Sequence, residues 1–175
     1  SLIDVLFLLA YLPQADCIVK QKLTANPLLR SLIANAGYLG NQSGEALVRE
    51  CAARLQSGRT LLVFPEGTRS RAQGLQPLQR GAARIALMAG CPVLPVTLHC
   101  APRFLAPDLP WYRVPARRPH WVISVGRALT PSQRDGEPPA AAARRFTQVL
   151  SVQLSQPAPQ PGAGTAVGMA PHVQN

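Results

Sequence analysis

The residue types best suited to chemistry gather in one short stretch, Phe64-Pro65-Glu66-Gly67-Thr68-Arg69-Ser70. Arginine offers a planar fork of donors that matches a phosphate. Glu66, in the same turn, is placed to orient Arg69 or to accept a hydrogen from a hydroxyl. Pro65 stops whatever strand precedes it, and Gly67 permits an unusual backbone or a close approach to a ligand. The plainer reading is an exposed turn with a local Glu–Arg pair. Arg71, Arg80 and Arg84 follow. Arg80 and Arg84 stand four apart and share a helix face, so with Arg69 they form either a cationic cluster or an ordinary solvated surface. Gln79-Arg80-Gly81-Ala82-Ala83 sets Arg80 near a helix N-terminus, where the helix dipole also favours an anion.

Other chemistries find less support. No G-x-S-x-G elbow is present for a serine hydrolase, and no G-x-x-x-x-G-K-[ST] loop for a nucleotide. Cys17, Cys51, Cys91 and Cys100 form no C-x-x-C pair, which argues against zinc. They are expected to be buried free thiols in a reducing compartment. His99 is expected to be a core or loop residue, His120 a surface one, and His172 falls in the tail.

An alternation of helical and strand patterns must position the stretch. A buried helix is expected from Asp4 to Tyr11 and a short strand at Cys17-Ile18-Val19. Asn26-Pro27 opens a helix that stops at Gly37. Ser43 is expected to cap another, with Leu47, Val48, Cys51 and Leu55 as its apolar stripe and Gly58 at its end. Thr60 to Phe64 is a continuous apolar strand, Arg80 to Ala89 a helix closed by Gly90, and Val93 to Leu98 a strand interrupted by Pro95. Residues 101–119 form a Pro/Arg-rich loop. Trp121 to Val125 is a late strand. Pro138 starts a helix to about Leu154 with Phe146, Val149, Leu150 and Leu154 on one face. This order predicts an α/β fold with a mostly parallel central sheet flanked by helices, and with its site at the C-terminal ends of strands.

At 175 residues, 47% of them hydrophobic, the chain suits one domain with a real core and excludes global disorder. The Pro-, Gly- and Ala-rich segment 155–175 reads as a disordered tail. The apolar run Leu2–Ala10 lacks a basic flank and is too short to span a bilayer, so it reads as a helix cut at its start. Eighteen Lys+Arg against eight Asp+Glu give a net charge of +10, which implies an anionic partner. The cations are scattered and seldom interleaved with aromatics, which disfavours nucleic acid.

The stretch Phe64 to Ser70 resembles the third signature block of the PlsC-type glycerolipid acyltransferases, the lysophosphatidate acyltransferase family. Other pieces fall in that family's order. Ser1-Leu2-Ile3-Asp4 is similar to the end of its first block, N-H-x-x-x-x-D. Cys17 to Leu23 resembles its lysine-bearing strand. Gln79-Arg80-Gly81 with its Ala-rich helix resembles the segment after the third block, and Cys91-Pro92-Val93-Leu94-Pro95-Val96 the fourth. The likeness covers residues 1 to about 130. It implies a glycerolipid acyltransferase-like fold over 1–154 and acyl transfer from acyl-CoA or acyl carrier protein to a lysophospholipid hydroxyl. No cofactor or metal is implied. It makes Asp4 the partner of a general-base histidine two positions before Ser1. No motif lets His99 or His120 replace that histidine, so the chain as written is expected to turn over roughly 10²–10⁴-fold slower than one that carries it. The resemblance assigns the acceptor's phosphate to Glu66, Gly67, Thr68 and Arg69, with Lys20 and Arg80 as further contributors. Gly37-Tyr38-Leu39-Gly40-Asn41 lacks the arginine that often ends the family's second block, which leaves open a non-phosphate lipid acceptor; the missing histidine leaves open a non-catalytic lipid-phosphate-binding relative. The family also implies work at the cytoplasmic face of an anionic membrane. Leu105, Trp111 and Tyr112 beside Arg103, Arg113, Arg117 and Arg118 are the residues expected there.

Overall fold

The structure is a computed structural model that describes residues 8, 11–12, 15–18, 44–67, 74–102, 109 and 115–156. Several expectations therefore lie outside the described residues: most of the first helix, the helix opened by Asn26-Pro27, the 37–41 segment, Arg71, the loop residues 103–108 and 110–114, and the tail beyond 156.

Strand β1, Ala15–Cys17, pairs in parallel with β2, Thr60–Leu62, in the register Ala15 with Thr60, Asp16 with Leu61 and Cys17 with Leu62. Helix α1, Glu45–Gln56, connects into β2. Helix α2, Gly81–Ala89, follows the site stretch. Strands β3, Val96–Ala101, and β4, His120–Val125, pair antiparallel, and helix α3, Pro139–Ser155, closes the order. The parallel pair that delivers the site stretch thus sits beside helices, in an α/β arrangement, while the later pair runs antiparallel.

Boundaries moved where a polar residue or a proline interrupts the pattern. β1 begins two residues earlier than its apolar run, because Asp16 at its centre is fully buried. Its carboxylate is satisfied by Arg59, whose Nε and Nη2 donate to Oδ2 and Oδ1 at 2.6 and 2.5 Å, and by Arg54 Nη1 at 3.3 Å. Arg54 also donates to Glu50 Oε1 at 3.1 Å, one turn earlier on α1. Asp16 therefore ties β1 to the end of α1 and to the entry of β2. The Arg59 hydrogen bonds, followed by those of Arg54, outweigh burial and hold this carboxyl below its usual range. β2 stops at Leu62 rather than Phe64, as the chain turns at Pro65. The 93–98 strand splits at Pro95, which has no N–H to give. Val93 bridges Leu129, and the regular strand starts only at Val96. α1 is capped by Gly44, with no side-chain cap, instead of by Ser43.

Two clusters share α2 as their common wall. Val48 and Cys51 of α1 meet Ile85, with Ile18 and Leu61 of the sheet packed against them. On the other side Ala83 and Ala86 meet Ala143, Phe146 and Leu150 of α3. The alanines let α2 and α3 approach closely, so Phe146 fills the interface. Val149 is 42% exposed and stands off the buried face to which the apolar spacing assigned it. Cys17 and Cys51 are buried free thiols, each pushed up to about 11 by burial. Cys91 and Cys100 are only half-buried, short of the burial expected of them.

Candidate phosphate-binding site

The site stretch leaves β2 through a tight turn. Gly67 N–H donates to Phe64 C=O at 3.0 Å, which puts Pro65 and Glu66 at the corners. Gly67 has φ +61°, and a Cβ there would stand 3.4 Å from Gln79 Cγ. A side chain at this position meets both a disfavoured backbone and a close neighbour, which is why the turn takes glycine.

The chain then folds back on the turn. Gln79 N–H donates to Pro65 C=O at 2.7 Å, and Gln76 N–H donates to Glu66 Oε2 at 2.9 Å. The Glu66 carboxylate is thereby held by the return segment. Arg80 follows at once as the N-cap of α2 and is exposed. The first turn of α2 carries no acidic residue, so its free amide N–H groups face no neutralising side chain of their own helix. One loop thus gathers Glu66, Gly67 and Arg80 at the C-terminal end of β2, where an α/β fold builds its sites.

The expected cationic cluster is smaller than its spacing suggested. Arg84 is committed to an ion pair with Glu45 at the start of α1, so it braces α1 against α2. Thr68, Arg69, Lys20 and Asp4 lie outside the described residues. His99 is exposed on β3 opposite Val122, neither in the core nor in a loop, and His120 is exposed at the start of β4. The sequence reading missed Asp16 with its two arginines, and the roles of Gln76 and Gln79. Asp16 left a signal, an acid between two apolar runs. The glutamines act mainly through backbone N–H groups, which carry no residue-type signal.

The Acyltransferase family matches residues 1–99. With more than half of its length matched, the chain belongs to that family. Its similarity to 1-acyl-sn-glycerol-3-phosphate acyltransferases bears out the PlsC-type resemblance. The relative from Cocos nucifera is 30% identical over 105 residues, 56% of this chain and 34% of that protein. The one from Helicobacter pylori is 30% identical over 105 residues, 56% of this chain and 44% of that protein. The one from Escherichia coli is 51% identical over 37 residues, 21% of this chain and 15% of that protein. The chain thus spans less than half the length of these relatives. The fold matches the crystal structure of the 1-acyl-sn-glycerophosphate (LPA) acyltransferase PlsC from Thermotoga maritima with a TM-score of 0.61, at 21% identity over 91% of this chain and 65% of that one.

Proposed function

We propose that this chain is the acyl-transfer domain of a phospholipid-building enzyme. It moves an acyl group from a thioester, on CoA or an acyl carrier protein, to the free hydroxyl of a lysophospholipid such as lysophosphatidate, at the cytoplasmic face of a membrane. The observation that carries this reading is the Phe64–Gly67 turn, with Glu66 fixed by Gln76 N–H and Arg80 capping the helix beside it. Such a corner suits a phosphomonoester. Backbone N–H groups and guanidinium forks meet its oxygens, and a held carboxylate orients the cations around it.

In this reading Glu66, Gly67, Thr68 and Arg69 hold the acceptor's phosphate, with Arg80 and Lys20 adding positive charge. Asp4 takes the place of the aspartate that, in the family, orients a general-base histidine. The acceptor hydroxyl attacks the thioester carbonyl and gives its proton to a general base. The new C–O bond forms, the C–S bond breaks, and the thiol leaves with a proton returned to its sulfur. The chain's share of the work is to pin one end of the acceptor so that the other end meets the carbonyl.

The test is steady-state acylation of lysophosphatidate by the full-length protein and its Arg69→Ala variant. The reading predicts that the acceptor's KM rises at least tenfold while that of the thioester hardly moves. An equal loss for both substrates would overturn the phosphate role. Undiminished use of a lysolipid without phosphate, alongside poor use of lysophosphatidate, would point to a different acceptor.

A further inference from the structure

The charge of this chain is segregated. Residues 67–134 hold ten arginines against one acid, Asp108, a net +9 within a total of +10. The acids elsewhere are largely spoken for: Asp16 by Arg59 and Arg54, Glu50 by Arg54, Glu45 by Arg84 and Glu137 by Arg145. Strand β4 runs through the middle of the cationic stretch. Arg117 and Arg118 stand exposed before it and Arg127 exposed after it. Between these arginines the strand is mostly apolar, and three of its aliphatic side chains are exposed. Val122 is 48% exposed, Ile123 39% and Val125 57%, and Leu94, before the paired strand, is 54% exposed.

We propose that β4 and the turns on either side of it form a docking surface for an anionic lipid bilayer. Successive side chains on a strand point to opposite faces. Val122 is thus exposed on one face of the ribbon, and Ile123 and Val125 on the other. A protein partner laid flat against one face leaves the opposite valine in water. A bilayer interface covers a strand edge from both sides and also meets the flanking arginines with its headgroups. Guanidinium groups at the headgroup level with aliphatic side chains just below them are the arrangement an anionic membrane surface favours. None of the docking surface's residues belongs to the Phe64–Gly67 corner. It deepens the proposed lipid acylation, because it names the face by which the domain meets its substrate's solvent.

The experiment measures binding without turnover. The full-length protein is sedimented with vesicles of phosphatidylcholine alone and of phosphatidylcholine with phosphatidylglycerol, with phosphatidylglycerol present for every variant. Arg127→Gln should weaken binding roughly fivefold, and Arg117→Gln/Arg118→Gln/Arg127→Gln together roughly a hundredfold. Val122→Ser/Val125→Ser should weaken it roughly tenfold. Arg49→Gln, an exposed arginine of α1 outside the stretch, should leave it unchanged. Circular dichroism confirms that each variant is folded. Bromine on the lipid chains should quench tryptophan emission, and Trp121→Phe should remove a share of that quenching. Equal losses for Arg49→Gln and Arg127→Gln would overturn the proposal, as would quenching that Trp121→Phe leaves unchanged. So would variants that lose an acidic carrier protein while they keep the vesicles. Acylation of a detergent-dispersed acceptor should be unchanged in the β4 variants, so failure here leaves the proposed reaction standing, and the reverse.

Discussion

Asp16 is the residue on which the sheet's first strand depends. Its carboxylate is buried, and both of its partners remain partly in water, at 32% and 41% exposure for Arg54 and Arg59. A fully buried pair broken on one side costs about 3–5 kcal/mol, and partial solvation of the arginines lowers that figure. Asp16→Asn is expected to cost about 1–3 kcal/mol in a urea titration. The pH dependence follows from the lowered carboxyl. Its stabilisation is fully present above the unfolded value near ~4 and is lost as pH falls through the lower folded value. Glu137 behaves in the same way. The side-chain hydrogen bonds of Arg145, then the Arg134 N–H, bring it to about 2 from 4.5, so its contribution fades between those values. The acid limb of the stability curve should flatten in Asp16→Asn and in Glu137→Gln. An unchanged limb in both would contradict these assignments. The thiols divide likewise. At pH 8 a thiol reagent should label Cys91 and Cys100 quickly, while Cys17 and Cys51, at about 11 and buried, wait for denaturant.

Elements were legible where glycine and proline punctuate them. Pro65 and Gly67 marked the turn after β2, Gly90 sits left-handed at the end of α2, and Pro138 is the N-cap of α3. They blurred where a tertiary partner changes the meaning of a residue. An acid inside a strand reads as a boundary until Arg59 and Arg54 are folded against it, so β1 was placed late. Val149 fits the helical period of Phe146 and Leu150, but α2 covers only the narrower stripe of Ala143, Phe146 and Leu150. The return segment 76–79, which fixes Glu66, acts through its backbone and has no signature. Two substitutions probe this scale. Phe146→Ala should cost about 3–5 kcal/mol, because alanines around it cannot fill the cavity. Gly67→Ala should cost roughly 1–2 kcal/mol for its left-handed backbone. It should also weaken acceptor binding more than thioester binding, since it strains the turn that carries Glu66; equal weakening would argue against that coupling.

At the scale of the molecule, residues 64–134 carry both proposed surfaces: the phosphate corner at Phe64–Gly67 and the arginine-flanked strand β4. The charge asymmetry is legible in the sequence. That β4 stands exposed between its arginines is legible only in the fold. The central proposal is that this acyltransferase-family chain grips a lysolipid by its phosphate through residues Glu66 to Arg69. The most direct measurement is competition. Acylation of lysophosphatidate by the full-length protein is followed as glycerol 3-phosphate is added, for wild type and Arg69→Ala. The account predicts that glycerol 3-phosphate competes with the acceptor, leaves the thioester's KM untouched, and loses its effect in the variant. Inhibition that competes with the thioester instead, or that survives Arg69→Ala unchanged, would contradict it.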